Sequence, residues 1–203
     1  MEAVETQIQG RDWSQASDEE FLALQEAARR RLEETPPDTP AIRGWELIDG
    51  VLLPMSPIGI DQADVTAEIV TVLRTYLKRH GLGRALPDVV THLDEAGRVR
   101  VAPDVAYLEE GGAARRVGQH VQGAPKLCVE VTVLDSLERD TLTKKAAYHR
   151  AGVEWYWIVN LVSGAVDEYR WAEQAYELVS QSPLTEPFRP ALFPGMEIEW
   201  PAE

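Results

Sequence analysis

The stretch "KLCVEVTVL", residues 126–134, decides the fold of this chain, because it is a strand-like apolar run with a charge in its middle. Side chains alternate between two faces of a strand. One face here carries only Leu and Val, and the other carries Cys128, Glu130 and Thr132. Two largely apolar faces are typical of a central strand. A buried carboxylate such as Glu130 is costly unless it is paired, neutralised or bound to a metal ion.

A second carboxylate follows the same logic. The stretch "VRVAPDVAYL", residues 99–108, predicts another strand, with Asp104 on the same face as Ala102 and Ala106. Alanine neighbours leave room around the carboxylate. Two strand carboxylates that face one cavity can hold a hard cation through oxygen ligands. We therefore predict that Asp104 and Glu130 bind Mg²⁺ or Mn²⁺.

The stretch "DSLERDTLTKKAAYHRAG", residues 135–152, predicts a helix after the central strand. Thr141, Lys144 and Tyr148 share one face of it. A helix that packs back onto the sheet would bring Lys144 over the carboxylates, where it would orient or polarise a water molecule. A divalent metal with such a lysine is suited to hydrolysis of a phosphodiester. A structural ion pair between Glu130 and Lys144 or Arg139 is the competing interpretation.

Three other segments carry clear local signals. Residues 17–34 predict a helix with a capping box, because Ser17 is followed three residues later by Glu20. The pair Asp49-Gly50 lies between two apolar runs and predicts a β-hairpin. Residues 60–81 predict a long amphipathic helix that ends at a glycine.

The order of these elements predicts an α/β protein with a mixed central β-sheet flanked by helices and an extra N-terminal helix. We divide the chain into residues 1–40, which hold a polar segment, that helix and the Pro-rich connector "TPPDTP", and a single domain at residues 41–203. Within the second part, residues 111–125 are Gly-rich and basic and predict an irregular, mobile loop.

Composition limits the cellular setting and the partners. The 203 residues include one cysteine, which excludes an internal disulfide framework and indicates a reducing compartment. No apolar run has the length of a membrane span, so we expect a cytoplasmic protein without a membrane partner. A net charge of −14 argues against a protein that coats nucleic acid, and leaves room for divalent cations. The four histidines show no spacing typical of zinc ligands.

Four stretches together resemble a known family. They are "WELIDG" from Trp45, "APDVAYL" from Ala102, "CVEVTVLDSLERDTLTKKAAYHRAGVEWYWIVN" from Cys128, and "VDEYRW" from Val166. In order and spacing they resemble the PD-(D/E)XK nuclease superfamily and, within it, the Uma family of bacterial endonuclease-like proteins. The resemblance implies a restriction-endonuclease-like fold and a divalent-metal-dependent endonuclease, with nucleic acid, most often DNA, as its partner. A homodimer is expected, because two cuts on two strands need two sites.

The resemblance also implies roles for individual residues. Asp104 and Glu130 match the catalytic, metal-binding carboxylates, and the backbone carbonyl of Val131 adds a metal ligand. Thr132 stands where the superfamily carries its motif lysine, and Lys144 on the following helix matches the lysine of this family. The remaining matches are Glu46, an additional catalytic acid, and Tyr148, an accessory tyrosine one helical turn after the lysine.

Some alternatives stay open. Lys145 is adjacent to Lys144 and is an accessory candidate, since chemistry alone does not separate the two lysines. Relatives carry a histidine near the start of the long helix, where this chain has "IDQAD" from Ile60. A catalytically inactive nuclease-fold protein that acts as a binding module is the second functional hypothesis. A carboxylate-dyad glycosidase explains the two acids but gives Lys144 no task.

Overall fold

The structure, a computed structural model, describes residues 13–34 and 43–201. A turn of 3₁₀ helix at Trp13–Gln15 precedes helix α1 (Asp18–Glu34), and the longest helix is α2 (Ile60–His80). A second 3₁₀ turn (Leu134–Ser136) and a π-helix (Arg139–Lys144) lead into α3 (Lys145–Ala151). The strands are β1 (Gly44–Ile48), β2 (Val51–Met55), β3 (Gly83–Pro87), β4 (Thr91–His92), β5 (Val99–Val101), β6 (Val105–Glu109), β7 (Arg115–Val117), β8 (His120–Gln122), β9 (Leu127–Thr132), β10 (Trp155–Asn160), β11 (Ala165–Arg170) and β12 (Glu177–Pro183).

The strands form two mixed six-stranded sheets. Sheet 1 has the order β2-β1-β5-β4-β8-β7, with β4 and β8 parallel. Sheet 2 has the order β12-β11-β10-β9-β6-β3, with β9 and β10 parallel. The α/β class with a mixed sheet, flanking helices and an N-terminal helix is confirmed, and sheet 1 is an addition that the sequence did not predict.

Local predictions hold where capping and turn chemistry dominate. At the start of α1 the Glu20 amide donates to Ser17 Oγ at 3.2 Å, and the Ser17 amide donates to the Glu20 carboxylate at 2.9 Å. Asp49 and Gly50 have φ of 52° and 82°, as a type I′ hairpin turn requires. The predicted "TPPDTP" connector and residues 1–12 lie outside the described residues, so the division at residue 40 stays a prediction.

The strand predicted at residues 99–108 is wrong in one respect. The chain leaves sheet 1 at Val101 and enters sheet 2 at Val105, so Asp104 lies in the crossing and not inside a strand. Pro103 explains the break, because proline has no backbone N–H to donate to the ladder. This crossing places Asp104 between the two sheets.

The predicted irregular loop at residues 111–125 is also wrong. It contains a β-hairpin in which β7 pairs antiparallel with β8, and β8 lies parallel to β4. Val117 pairs with His120 across the turn, and Gly118 there has φ of 56°, which a glycine adopts without strain. The glycines that suggested mobility instead allow the turn.

Three apolar clusters define the layers. Helix α2 and the C-terminal tail, with Phe188, Phe193 and Ile198, cover one face of sheet 2. Helix α3 and part of sheet 1 pack on the other face of sheet 2. Helix α1 packs on the outer side of β1, in sheet 1. The inner face of β9, which carries Glu130, therefore looks toward sheet 1. No helix among the described residues is long and apolar enough to span a membrane.

Candidate active site

Lys144 lies at the centre of a buried polar cluster between the two sheets. Its Nζ atom is 2.6 Å from Glu130 Oε1 and 2.9 Å from Glu46 Oε1. Glu46 comes from β1 and Glu130 from β9, and each of the three residues is at most 3% exposed. The structure thus brings together three residues that span 98 positions of the sequence, from Glu46 to Lys144. Strand and helix patterns indicated two of them, Glu130 and Lys144.

Asp104 enters the same cluster from the crossing between the sheets. Its Oδ2 atom accepts a hydrogen bond of 2.7 Å from the Val131 amide. The N–H and C=O of one residue point to the same side of a strand, so the Val131 carbonyl also faces Asp104. Gln62, at the start of α2, donates to both oxygens of Asp104 at 3.4 and 3.5 Å.

Asp140 is a fourth carboxylate that our sequence analysis did not predict. It is 1% exposed, and its Oδ1 atom lies 4.0 Å from Lys144 Nζ. It accepts a 3.1 Å hydrogen bond from Thr132 Oγ1, and Arg139 Nε lies 3.3 Å away. Asp140 and Lys144 both belong to the π-helix, a geometry often found at functional sites. The spacing of four residues between them was the available signal.

The three accessory candidates lie in different places. Tyr148 is fully buried and donates a 2.6 Å hydrogen bond to Glu130 Oε1, and Thr132 is held by Asp140. Lys145 points elsewhere, with its Nζ 3.3 Å from the centre of the Tyr169 ring. The structure therefore brings Lys144, and not Lys145, to the carboxylates.

Burial and charge set the protonation of these groups. Burial raises the pKa of Asp104 to about 6, and it raises the pKa of Glu130 well above its usual value, with Asp140, Asp104 and Glu46 adding repulsion. Burial also opposes the charge of Glu46, but Lys144 and Arg139 outweigh it and lower the pKa of that carboxyl. Lys144 has a raised pKa despite burial, because Glu130 and Glu46 attract its proton.

The charges of the cluster do not balance. Four carboxylates (Glu46, Asp104, Glu130 and Asp140) face two cations, Lys144 and Arg139, so the fully ionised cluster carries two excess negative charges. Arg43 also lines the cleft, but its charge is paired with Asp88 at 2.6 Å. Repulsion between the acids adds to burial in raising the pKa values of Asp104 and Glu130. A divalent cation would restore neutrality.

The cleft has room and free ligand atoms for a small cation. Its cavity of about 20 Å³ is comparable to the space that one water molecule needs. The Glu46 Oε2 atom is buried without a hydrogen-bond partner among the described residues, and Arg139 Nε lies 3.7 Å from it. Carboxylate and carbonyl oxygens are the ligands that Mg²⁺ and Mn²⁺ prefer. The residues present therefore fit a hard divalent ion.

The entrance to the cleft carries modest positive charge. Arg43 and Arg139 line it, with Gln62 and Ser136 beside them. Three further arginines, Arg115, Arg116 and Arg150, are not among the lining residues, and Arg150 instead pairs with Asp49 at 2.6 Å.

Two mixed sheets with flanking helices and an N-terminal helix make this an α/β protein, and its fold matches that of a solved nuclease-like structure. The solved structure of a "putative nuclease belonging to DUF820" from Anabaena variabilis is similar, with a TM-score of 0.58 and 18% identity over 82% of this chain and 90% of that chain. The family described as Uma2, "Putative restriction endonuclease", matches residues 18–201, and the chain belongs to this family. No curated protein matches the chain.

Proposed function

We propose that the protein is a divalent-metal-dependent nuclease that hydrolyses phosphodiester bonds, with DNA as its first candidate substrate. The observation that carries this proposal is the convergence of four buried carboxylates and one buried lysine on a cleft with room for a small ion. Membership in the Uma2 family supports the same reaction class.

Asp104, Glu130 and the Val131 carbonyl would hold Mg²⁺ or Mn²⁺, since Asp104 and Glu130 line one cleft and the Val131 backbone lies against Asp104. The bound ion would polarise a phosphoryl oxygen and lower the pKa of a water molecule. Glu46 would assist through its unpartnered Oε2 atom. Tyr148 fixes the rotamer of Glu130 by its hydrogen bond, and Asp140 does the same for Thr132.

Lys144 would act as a charged group and not as a general base. Its neighbours raise its pKa, so it keeps its proton at neutral pH. A fixed ammonium at the cleft orients a water molecule and stabilises the negative charge that develops on the phosphate. Two carboxylates hold the Nζ atom in position before the substrate binds.

A binding module without catalysis is the second candidate. The net charge of −14 favours it, because a groove for nucleic acid gains affinity from basic residues. The burial of Lys144 inside the acidic cluster favours the enzyme, since a lysine in solvent would have no role at the cleft.

The test is cleavage of supercoiled plasmid and of labelled RNA in the presence of Mn²⁺ or Mg²⁺, with wild type, Asp104→Asn and Lys145→Ala purified in parallel. We expect nicked plasmid from wild type and Lys145→Ala, and none from Asp104→Asn. Equal cleavage by all three would identify a contaminant. Binding of either nucleic acid without cleavage would favour the binding module.

Two further expectations stay predictions. A homodimer would place one active site on each strand of a nucleic-acid duplex. Sedimentation velocity measures the oligomeric state directly. A cytoplasmic location agrees with the single, buried Cys128, and fractionation of expressing cells would test it.

A further inference from the structure

A second group of possible ligands lies in sheet 1, built from other residues than the carboxylate cleft. Asp18 begins α1, His92 ends β4 and His120 begins β8. Each offers one ligand atom, and these atoms lie within 4.8 Å of one another. The two imidazole rings stack with their centres 4.0 Å apart. Because the residues come from three separate elements, their spacing in the sequence gave no sign of the group.

His92 is the unusual member of this group. It is 5% exposed, and its neighbours are the Asp18 carboxylate and the stacked ring of His120. Its Nδ1 atom lies 3.9 Å from Asp18 Oδ1, which is beyond hydrogen-bond distance. A neutral imidazole nitrogen is among the commonest metal ligands in proteins.

We propose that Asp18, His92 and His120 bind a transition-metal ion of the Zn²⁺ type, with water in the fourth position. Two imidazoles and one carboxylate are a common ligand set for zinc. Nitrogen ligands favour Zn²⁺, Ni²⁺ or Cu²⁺ over Mg²⁺. The proposal does not depend on the nuclease assignment, since the two sites share no residue.

Charged side chains surround His92 and orient the Asp18 carboxylate. The groups that face His92 are Asp18, Asp94, Arg100 and His120. Arg100 Nη2 forms an ion pair with Asp18 Oδ1 at 3.1 Å and donates to the carbonyl of Ala16 at 2.6 Å, and so orients the carboxylate. Outer contacts of this kind fix metal ligands in place.

Binding requires a small local rearrangement. The imidazole planes are 12° from parallel, and a metal must lie near the plane of each ring that binds it. His92 is fixed by burial, but His120 is only half-buried at the hairpin and can turn about its Cβ–Cγ bond. The bound ion would then connect α1 to strands β4 and β8, so Zn²⁺ should stabilise the fold.

The experiment is a Zn²⁺ titration by calorimetry, with thermal unfolding and the visible absorption of a Co²⁺-loaded sample as further readouts. The variants are His120→Ala and Asp18→Asn, both outside the core, and His80→Ala on α2 is the matched control. We expect one zinc site in wild type, His80→Ala and Glu130→Gln. The other two variants should weaken binding by about tenfold or more, and they should remove both the thermal shift and the Co²⁺ bands.

Three results would overturn the proposal. One is no zinc binding by wild type. Another is binding unchanged in both His120→Ala and Asp18→Asn. The third is a zinc site that Glu130→Gln abolishes, which would place the ion in the carboxylate cleft. If His120→Ala does not fold by circular dichroism, Asp18→Asn decides alone, because Asp18 is largely exposed.

Discussion

The Nζ atom of Lys144 lies 2.6 Å from Oε1 of Glu130, in a cluster where both side chains are almost completely buried. Tyr148 donates to the same carboxylate oxygen at 2.6 Å. A buried ion pair by itself is weak evidence for stability or for function. Here the pair belongs to a cluster with more acids than cations. The excess negative charge destabilises the metal-free fold, and the same excess would attract the cation that the proposed function needs.

The first prediction concerns Asp104. Its pKa of about 6 exceeds the ordinary value of 3.8. Between these pH values the native state binds more protons than the unfolded chain, so stability falls as pH rises through them. At pH 7 the penalty is on the order of 2–3 kcal/mol. Asp104→Asn should therefore stabilise the metal-free protein at pH 7 by a similar amount, as measured by urea unfolding.

The pH dependence supplies the control for this prediction. Well below pH 3.8 the wild-type carboxyl is protonated in both states, so the gain from Asp104→Asn should disappear. Asp167→Asn, on strand β11 of sheet 2, should change stability little at either pH. A variant less stable than wild type at pH 7 would show that Asp104 is a stabilising structural residue.

The second prediction separates the two lysines. Lys144→Met leaves Glu46 and Glu130 buried without their cation, and such a loss costs about 3–5 kcal/mol. Lys145→Met removes a partly exposed contact with Tyr169 and should cost about 1 kcal/mol or less. Chemical unfolding at pH 7 measures both. Equal effects of the two substitutions would contradict the assignment of Lys144 to the cluster.

The third prediction concerns Glu168, a fully buried carboxylate away from the cleft. It accepts hydrogen bonds from the Trp157 indole at 3.2 Å and from the amides of Ala191 and Leu192 at 2.8 and 3.2 Å. It therefore fastens the C-terminal tail to sheet 2. Glu168→Gln turns one acceptor oxygen into a donor that faces other donors, at a cost of about 1–3 kcal/mol.

Limited proteolysis tests this role of Glu168. The variant should be cut within residues 184–201 faster than wild type, while cuts elsewhere keep their rate. Glu177→Gln, an exposed change on β12, is the matched control. Unchanged cleavage of the tail would mean that the apolar contacts of Phe188 and Phe193 hold it without Glu168.

The sequence predicted those site residues whose position follows from side-chain alternation in a strand or from spacing along a helix. Glu130 stood out as a charge in an apolar strand, and Lys144 followed from the helix that packs on it. Glu46 needed the family resemblance, because a glutamate in a hairpin strand is exposed more often than buried. Its burial follows from sheet 1 lying against sheet 2, an arrangement that no local pattern encodes.

Other parts were missed for similar reasons. Asp140 was read as one polar residue of an ordinary helix, whereas the π-helix turns it inward beside Lys144. Gln62 contacts Asp104 across 42 positions of sequence. The Asp18, His92 and His120 group depends on the parallel pairing of β4 with β8, which pattern analysis did not predict. Long-range pairing, and not local propensity, decides these contacts.

The most direct test of the central claim is a calorimetric titration of the protein with Mn²⁺ and Mg²⁺. Wild type is compared with the double variant Asp104→Asn, Glu130→Gln and with Asp167→Asn as a carboxylate control. We predict a cation site in wild type and the control that the double variant lacks, with binding that weakens below about pH 6 as Asp104 takes up its proton. Binding that persists in the double variant, or no binding by wild type at neutral pH, would contradict the account and leave Glu130 as the structural partner of Lys144.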